Sequence, residues 1–480
     1  MIKFVGRKQE LKALEDLFDR GDARIAVIKG RRRVGKTALI REFAKGKRFL
    51  SFSGESPTEK TTEQSERDVF CKQLALQLGK PVPFFDWWMD IFYYLEAELT
   101  DEPTVVLFDE ISWMASQDPS FIPQLKECWD RKLSQRSNFM LIFCGSISTW
   151  IEKNIIMSTS FYGRMSMRYE LDSLTIPACA RFLKYMAFEG DSQDIYRILS
   201  FTGGVPFYLE QINPKLTAKE NMKEICFKKN GALVGEFDMI FHDLFNGDAL
   251  VHKKILEILG TGRKLFSTIQ KEYGDISDEE LKKYLNNLEI CGFVSEHGQY
   301  SLKTKKELNE HVYGLCDPYV NFYLRYIEPR RLKIKAEDYD IHEDPEMAGL
   351  DGIIGLAVEM LLIKNNSLIY KAVGAKRFMD CVSGPYHQKA TPTRKACQID
   401  YLIQDNDNHI YICEFKFSKN PVETSVIDAV KEKINRLDAP EGTCFLPVLF
   451  HIGGVSKEVK DAKFFHRMID ITEFIKGEDD

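Results

Sequence analysis

The chain runs to 480 residues, with 44% hydrophobic residues, 29% charged residues and a net charge of −6. That length exceeds what one hydrophobic core organises and points to about three domains, while the acidic balance argues against a protein that coats nucleic acid over its whole surface. The eleven cysteines are scattered without a C-x-x-C pair, no apolar run approaches membrane-spanning length, and the start reads as an amphipathic helix rather than a signal peptide, so a cytoplasmic protein with reduced thiols and no membrane partner is expected.

The first motif follows a β-rich run. "ARIAVIKG" leads into "GRRRVGKT", and "ALIREFAKG" continues with helical spacing. Gly30, Gly35, Lys36 and Thr37 match G-x-x-x-x-G-K-[ST] in the strand–loop–helix context that gives this pattern its specificity. Glycines there let backbone N–H groups of Gly30, Arg31, Arg32, Arg33, Val34 and Gly35 wrap phosphate oxygens, Lys36 meets the β- and γ-phosphates of ATP, and the Thr37 hydroxyl reaches Mg²⁺. A second apolar strand, "TVVLFDE", delivers Asp109 as a Mg²⁺ partner and Glu110 as the group that polarises an attacking water. A third, "NFMLIFCGS", brings Ser146 to the same edge, where its hydroxyl senses the γ-phosphate. Strands alternating with helices from residue 23 to 171 predict a doubly wound parallel sheet.

These segments, with "FVGRKQELKALEDLF", "FYGRMSMRYEL" and "TGGVPFYL", resemble the prokaryotic AAA-like/STAND ATPases of archaeal type. The resemblance implies that Val5, Gly6 and Arg7 meet the base of the nucleotide, that Arg164 of Tyr162-Gly163-Arg164 senses phosphate, and that Gly204, Val205 and Pro206 belong to a lid.

Helical apolar spacing in "IPACARFLKYM" and "DSQDIYRILSFTG" suits such a lid. Residues 249–303 read as three helices and a hairpin turning at His297-Gly298, the pattern of a winged helix. Its third helix carries Asp278, Glu279, Glu280 and Glu289 against Lys282 and Lys283, which favours protein docking over DNA reading. An aromatic-rich helix, "CDPYVNFYLRYIEPRR", follows.

The last part begins with a helix, "GIIGLAVEMLLIKN", carrying Glu359, followed by a predicted strand, "SLIYKAV". Two charged strands come next. Asp400 stands on "QIDYLIQ", and Glu414 and Lys416 stand two apart on "HIYICEFKF", so both of the latter project from one face. If "DNDN" turns the first strand back on the second, Asp400 joins them, as a metal site beside a lysine or as an ion pair. The order helix, three strands, helix, strand resembles the PD-(D/E)xK nucleases. That resemblance implies a triad of Asp400, Glu414 and Lys416, with Glu359 as a further metal carboxylate and Mg²⁺ or Mn²⁺ as the ion. Between residues 371 and 397 six cations oppose one acid, and Lys376, Arg377, Lys389, Arg394 and Lys395 are candidate nucleic-acid contacts, DNA being favoured over RNA.

The sequence therefore predicts a multidomain α/β protein. Residues 1–175 form a phosphate-loop ATPase core, 176–245 a helical lid, 246–310 a winged helix, 311–350 a helical linker and 351–480 a PD-(D/E)xK nuclease-like domain. The expected function is an ATP-binding and ATP-hydrolysing switch, working as a nucleotide-dependent homo-oligomer, that controls a Mg²⁺-dependent nuclease acting on DNA. The alternative is a signalling or remodelling ATPase whose last domain binds nucleic acid or a partner without cutting.

Overall fold

The computed structural model describes all residues other than 1–3, 147–148, 345–346, 348–349, 376–380, 391–393, 419 and 478–480. Two compact units divide the described chain, at residues 4–174 and 175–477.

The first unit is built on five strands: β1 (Arg24–Gly30), β2 (Arg48–Ser53), β3 (Thr104–Asp109), β4 (Phe139–Ser146) and β5 (Met165–Leu171). Their spatial order is β2-β3-β4-β1-β5 and every pairing is parallel, as the alternation of elements predicts. Central strands of such a sheet are covered on both faces, so they read as continuous apolar runs. Successive residues then feed two cores. Val27, Val106, Phe108, Leu141 and Phe143 face one layer, with Phe52 stacked on Phe70 at 4.1 Å. Ala26, Ile28, Val105, Leu107, Met140 and Ile142 face the other, against Leu14, Leu39 and Phe43. Helix Lys8–Phe18 contributes Leu14, Leu17 and Phe18 to burial, in line with the amphipathic reading of the start.

The second unit begins with helices Ile176–Tyr185 and Ser192–Thr202, each opened by a side-chain cap from Thr175 or Asp191. Helices Ala249–Leu259, Phe266–Tyr273 and Asp278–Ile290 accompany an antiparallel sheet of β6 (Lys264–Leu265), which lies between the first two helices, β7 (Val294–Tyr300) and β8 (Glu307–Leu315), in the order β6-β8-β7. The hairpin does not turn at His297-Gly298. Both residues lie inside β7, which runs on to Tyr300. Tyr300 and Leu302 are buried in the core of the following sheet, and the buried Gln299 accepts a 2.7 Å hydrogen bond from the His387 N–H. Burial keeps the strand extended past a dipeptide that would otherwise turn.

The final sheet comprises β9 (Val382–Gln388), β10 (Cys397–Gln404), β11 (His409–Lys416), β12 (Cys444–His451) and β13 (Arg467–Asp470), in the order β13-β12-β11-β10-β9. The β9–β10–β11 pairings are antiparallel and β11–β12–β13 are parallel. "SLIYKAV" is not a strand. It forms helix Asn366–Val373, which buries Ile369, Tyr370 and Val373 and ends on Gly374 at φ 71°. Those buried positions follow the helical interval, which outweighs the β propensity of the segment. The basic stretch predicted as a loop is divided in the same way, since β9 occupies its centre.

Helix Ser425–Arg436 packs Val426, Ile427 and Val430 onto the sheet, in one core with Ile399, Leu402, Ile410 and Ile412. Truncating Leu402, which has no exposed surface, to alanine should destabilise the second unit by about 2–5 kcal/mol. Denaturant unfolding should register that loss while ATP binding by the first unit is retained.

Candidate functional sites

The chain turns from β1 into helix Lys36–Phe43 through the phosphate loop. Gly30 is required there by crowding, because a Cβ would sit 2.5 Å from the Leu171 carbonyl oxygen, and Gly35 by its φ of 91°. Lys36 is buried and donates to the Gly30 and Arg31 carbonyl oxygens at 2.9 and 3.2 Å, so its ammonium lies within the loop. The Thr37 hydroxyl donates to Asp109 Oδ2 at 2.6 Å, joining helix start and β3 tip. Parallel pairing sets Gly30 opposite Ser146. Glu110, at φ 50°, accepts from the Ser146 N–H at 3.1 Å and the Ser146 hydroxyl at 3.2 Å. Residues predicted from three separate segments thus meet at one sheet edge. Arg7 also reaches it, donating to the Val34 carbonyl at 3.1 Å, to Glu10 and to the Asp172 carbonyl, while its neighbour Gly6 has a φ of 75°. The cluster of lysine, hydroxyl and two carboxylates fits a triphosphate with a hard divalent cation, whose ligands would include Thr37 and Asp109.

Arg164 stands elsewhere in its interactions. Its guanidinium grips Asp130 through two bonds of 2.6 and 2.9 Å and also meets the Ser160 carbonyl, which holds the Asp130 carboxyl below the usual range. To act on a phosphate it would have to leave that partner. Pro206 opens the short helix Pro206–Leu209 of the second unit.

In the second unit β10 folds back on β11, and Asp400 Oδ2 accepts the Phe415 N–H at 2.8 Å. Glu414 is only 2% exposed, and Lys416 on the same face donates to its Oε1 at 2.8 Å. The apposition predicted from the two-residue period therefore forms. A residue outside that reading completes it: Lys433 Nζ lies 2.5 Å from Glu414 Oε2 and 3.7 Å from Asp400 Oδ1. Its one signal in the sequence is a lysine on the helical stripe that also carries Val426 and Val430. Glu359 is bound by Arg263 at 2.8 Å and still bears electrostatically on Asp400. Burial, then the Glu414 and Glu359 charges, push Asp400 up to about 6 despite the opposing Lys433. Carboxylates so crowded, in an all-oxygen donor set, fit a hard divalent cation.

Among the proposed nucleic-acid contacts, Lys389 and Lys395 are exposed, and Arg394 pairs with Asp438 at 3.5 Å and donates to the Leu437 carbonyl. Lys376 and Arg377 lie outside the described residues. The acids at the start of helix Asp278–Ile290 have a local role, since Ser277 and Glu280 form a reciprocal cap.

The raised Asp400 has a consequence for stability. An unfolded carboxyl titrates near 4, so above about pH 6 ionisation opposes folding, and the penalty disappears once pH falls below about 4. In metal-free buffer, Asp400→Asn should therefore stabilise the second unit on the order of 1 kcal/mol at pH 8 and not at pH 4. Denaturant titrations at the two pH values check this, and an equal effect at both would contradict it.

Residues 4–212 match the family of ATPase domains predominantly from Archaea. An uncharacterised protein of Methanocaldococcus jannaschii is 25% identical over 352 residues, 71% of this chain and 72% of that one. An uncharacterised ATP-binding protein of the same organism is 44% identical over 49 residues, 10% of this chain and 83% of its own length. Among solved structures, the chain is similar to a Walker-type ATPase of Pyrococcus abyssi, at 17% identity and TM-score 0.48, covering 67% of this chain and 96% of that one. The described residues include no helix long and apolar enough to cross a membrane. With its phosphate loop, strand-tip carboxylates and parallel sheet, the chain carries in residues 4–212 an ATP-binding ATPase domain of the type found predominantly in Archaea.

Proposed function

We propose that the protein is an ATP-hydrolysing switch whose first unit controls a divalent-metal-dependent nuclease centre of PD-(D/E)xK type in the second, acting on DNA as a nucleotide-dependent homo-oligomer. The observation that carries the nuclease reading is the buried Glu414 beside Asp400 and Lys416, on adjacent strands. An ordinary surface ion pair would not bury a carboxylate so deeply, given the cost of desolvating it. The helices and three-stranded sheet of residues 249–315 are read as a winged helix used for docking, because its third helix begins with acids. Lys389, Arg394 and Lys395 would guide the phosphodiester backbone.

At the ATP site, Lys36 would hold the phosphates, Thr37 and Asp109 would hold Mg²⁺, which supplies charge neutralisation there, and Glu110, kept in position by Ser146, would take the proton of the attacking water. At the second site, Asp400 and Glu414 would hold Mg²⁺ or Mn²⁺, with Glu359 able to contribute once released from Arg263. A divalent cation supplies Lewis acidity toward water and phosphate there. Lys416, 43% exposed and bonded to Glu414, would turn its ammonium to the negative charge that develops on the phosphate.

Lys36→Ala should abolish tight ATP binding in calorimetric titration. Glu110→Gln should keep binding and slow hydrolysis by about 100-fold or more; hydrolysis at the wild-type rate would remove Glu110 from its role. Purified protein incubated with labelled DNA and RNA, with Mg²⁺ or Mn²⁺ and with or without ATP, should nick DNA. Asp400→Ala and Glu414→Ala should abolish nicking while ATP turnover continues. Absence of cleavage by wild type in every arm, alongside retained DNA binding, would favour a switch whose second unit binds without cutting.

A further inference from the structure

The oxygen atoms of the carboxylate pair are divided among their partners in a way that leaves one shared cation. Glu414 Oε1 is taken by Lys416, and Asp400 Oδ2 by the Phe415 N–H. The remaining oxygens, Glu414 Oε2 and Asp400 Oδ1, both face Lys433 Nζ, at 2.5 and 3.7 Å. We propose that Lys433 occupies the cation seat between Asp400 and Glu414 and must withdraw before a divalent metal loads, so that this lysine sets the metal affinity of the site. The inference rests on the reading of these carboxylates as metal ligands.

The arrangement of the helix supports the assignment. Val426 and Val430 anchor helix Ser425–Arg436 in the core, and Lys433 follows them on the same stripe, in the last turn. The Lys433 carbonyl accepts the Cys397 S–H at 3.5 Å, which ties the helix end to β10. The backbone is therefore fixed while the flexible four-carbon stem can swing. With 24% of its side chain exposed, Lys433 has solvent into which its head can move. Its two carboxylate partners outweigh a burial that would by itself lower its basicity, and the ammonium is held charged. A divalent ion binds carboxylate oxygen at about 2.0–2.6 Å. Two cations drawn to the same oxygens at such range repel strongly, so occupancy by the lysine and by the metal exclude each other. Lys416 does not compete in the same way, because it meets Glu414 Oε1 and not the Oε2 that faces Lys433.

The test is Mn²⁺ titration of the full-length, metal-stripped, nucleotide-free protein, followed by calorimetry and by electron paramagnetic resonance of free Mn²⁺. Wild type, Lys433→Met, Lys433→Arg and Asp400→Ala are compared, with circular dichroism to confirm folding. Lys433→Gln replaces Lys433→Met if the latter does not fold. The Asp400-dependent site should bind Mn²⁺ at least about tenfold more tightly in Lys433→Met, while Lys433→Arg, which keeps the cation, stays within about threefold of wild type. An Asp400-dependent Mn²⁺ site whose affinity is unchanged or weaker in Lys433→Met overturns the inference and leaves the metal-site reading standing. If neither wild type nor Lys433→Met binds Mn²⁺ at Asp400, both fail together.

Discussion

An ionised carboxylate removed from water must find cations or N–H donors, and Glu414, at 2% exposed, meets that demand with two lysines at 2.5 and 2.8 Å. The final sheet is arranged around the requirement. β10 must lie antiparallel to β11 for Asp400 to share the same cation, and helix Ser425–Arg436 must cross at a depth that delivers Lys433 between them. Replacing such a cluster with apolar residues would cost little stability and could add to it. Its presence, with Asp400 raised to about 6 by burial and then by like charges, is what marks this cluster as a candidate site.

The first unit meets a related constraint with a different device. Lys36 is buried within a loop of backbone carbonyls, and Thr37 is latched to Asp109. The parallel sheet sets both strand tips and the loop at one edge, where helix Lys36–Phe43 begins. Backbone N–H groups at that helix start, one lysine and two carboxylates then provide for phosphate and a hard cation together. Glu110 is fixed by two hydrogen bonds from Ser146, which holds its carboxylate in one place at the sheet edge.

Each misread element shows burial overriding a local signal. His297-Gly298 is a plausible turn, yet β7 continues because Tyr300 and Leu302 belong to a core contributed mainly by residues about a hundred positions later. Residues 366–373 carry β-branched and aromatic side chains, yet they coil because three of them reach a core at helical spacing. In both segments the deciding partner is distant along the chain and leaves no mark on the local pattern.

The sequence by itself determined the phosphate loop, the strand-tip acids and the pairing of Glu414 with Lys416. Those depend on short-range geometry: a strand–loop–helix turn, and the two-residue period of a strand. Tertiary structure alone decided which cations the acids would meet. Lys433 enters the carboxylate pair from a helix packed across the sheet, Glu359 is drawn to Arg263, and Arg164 to Asp130. Charge pairing acts through space between side chains whose separation along the chain is unconstrained, so residue spacing in the sequence carries no record of it.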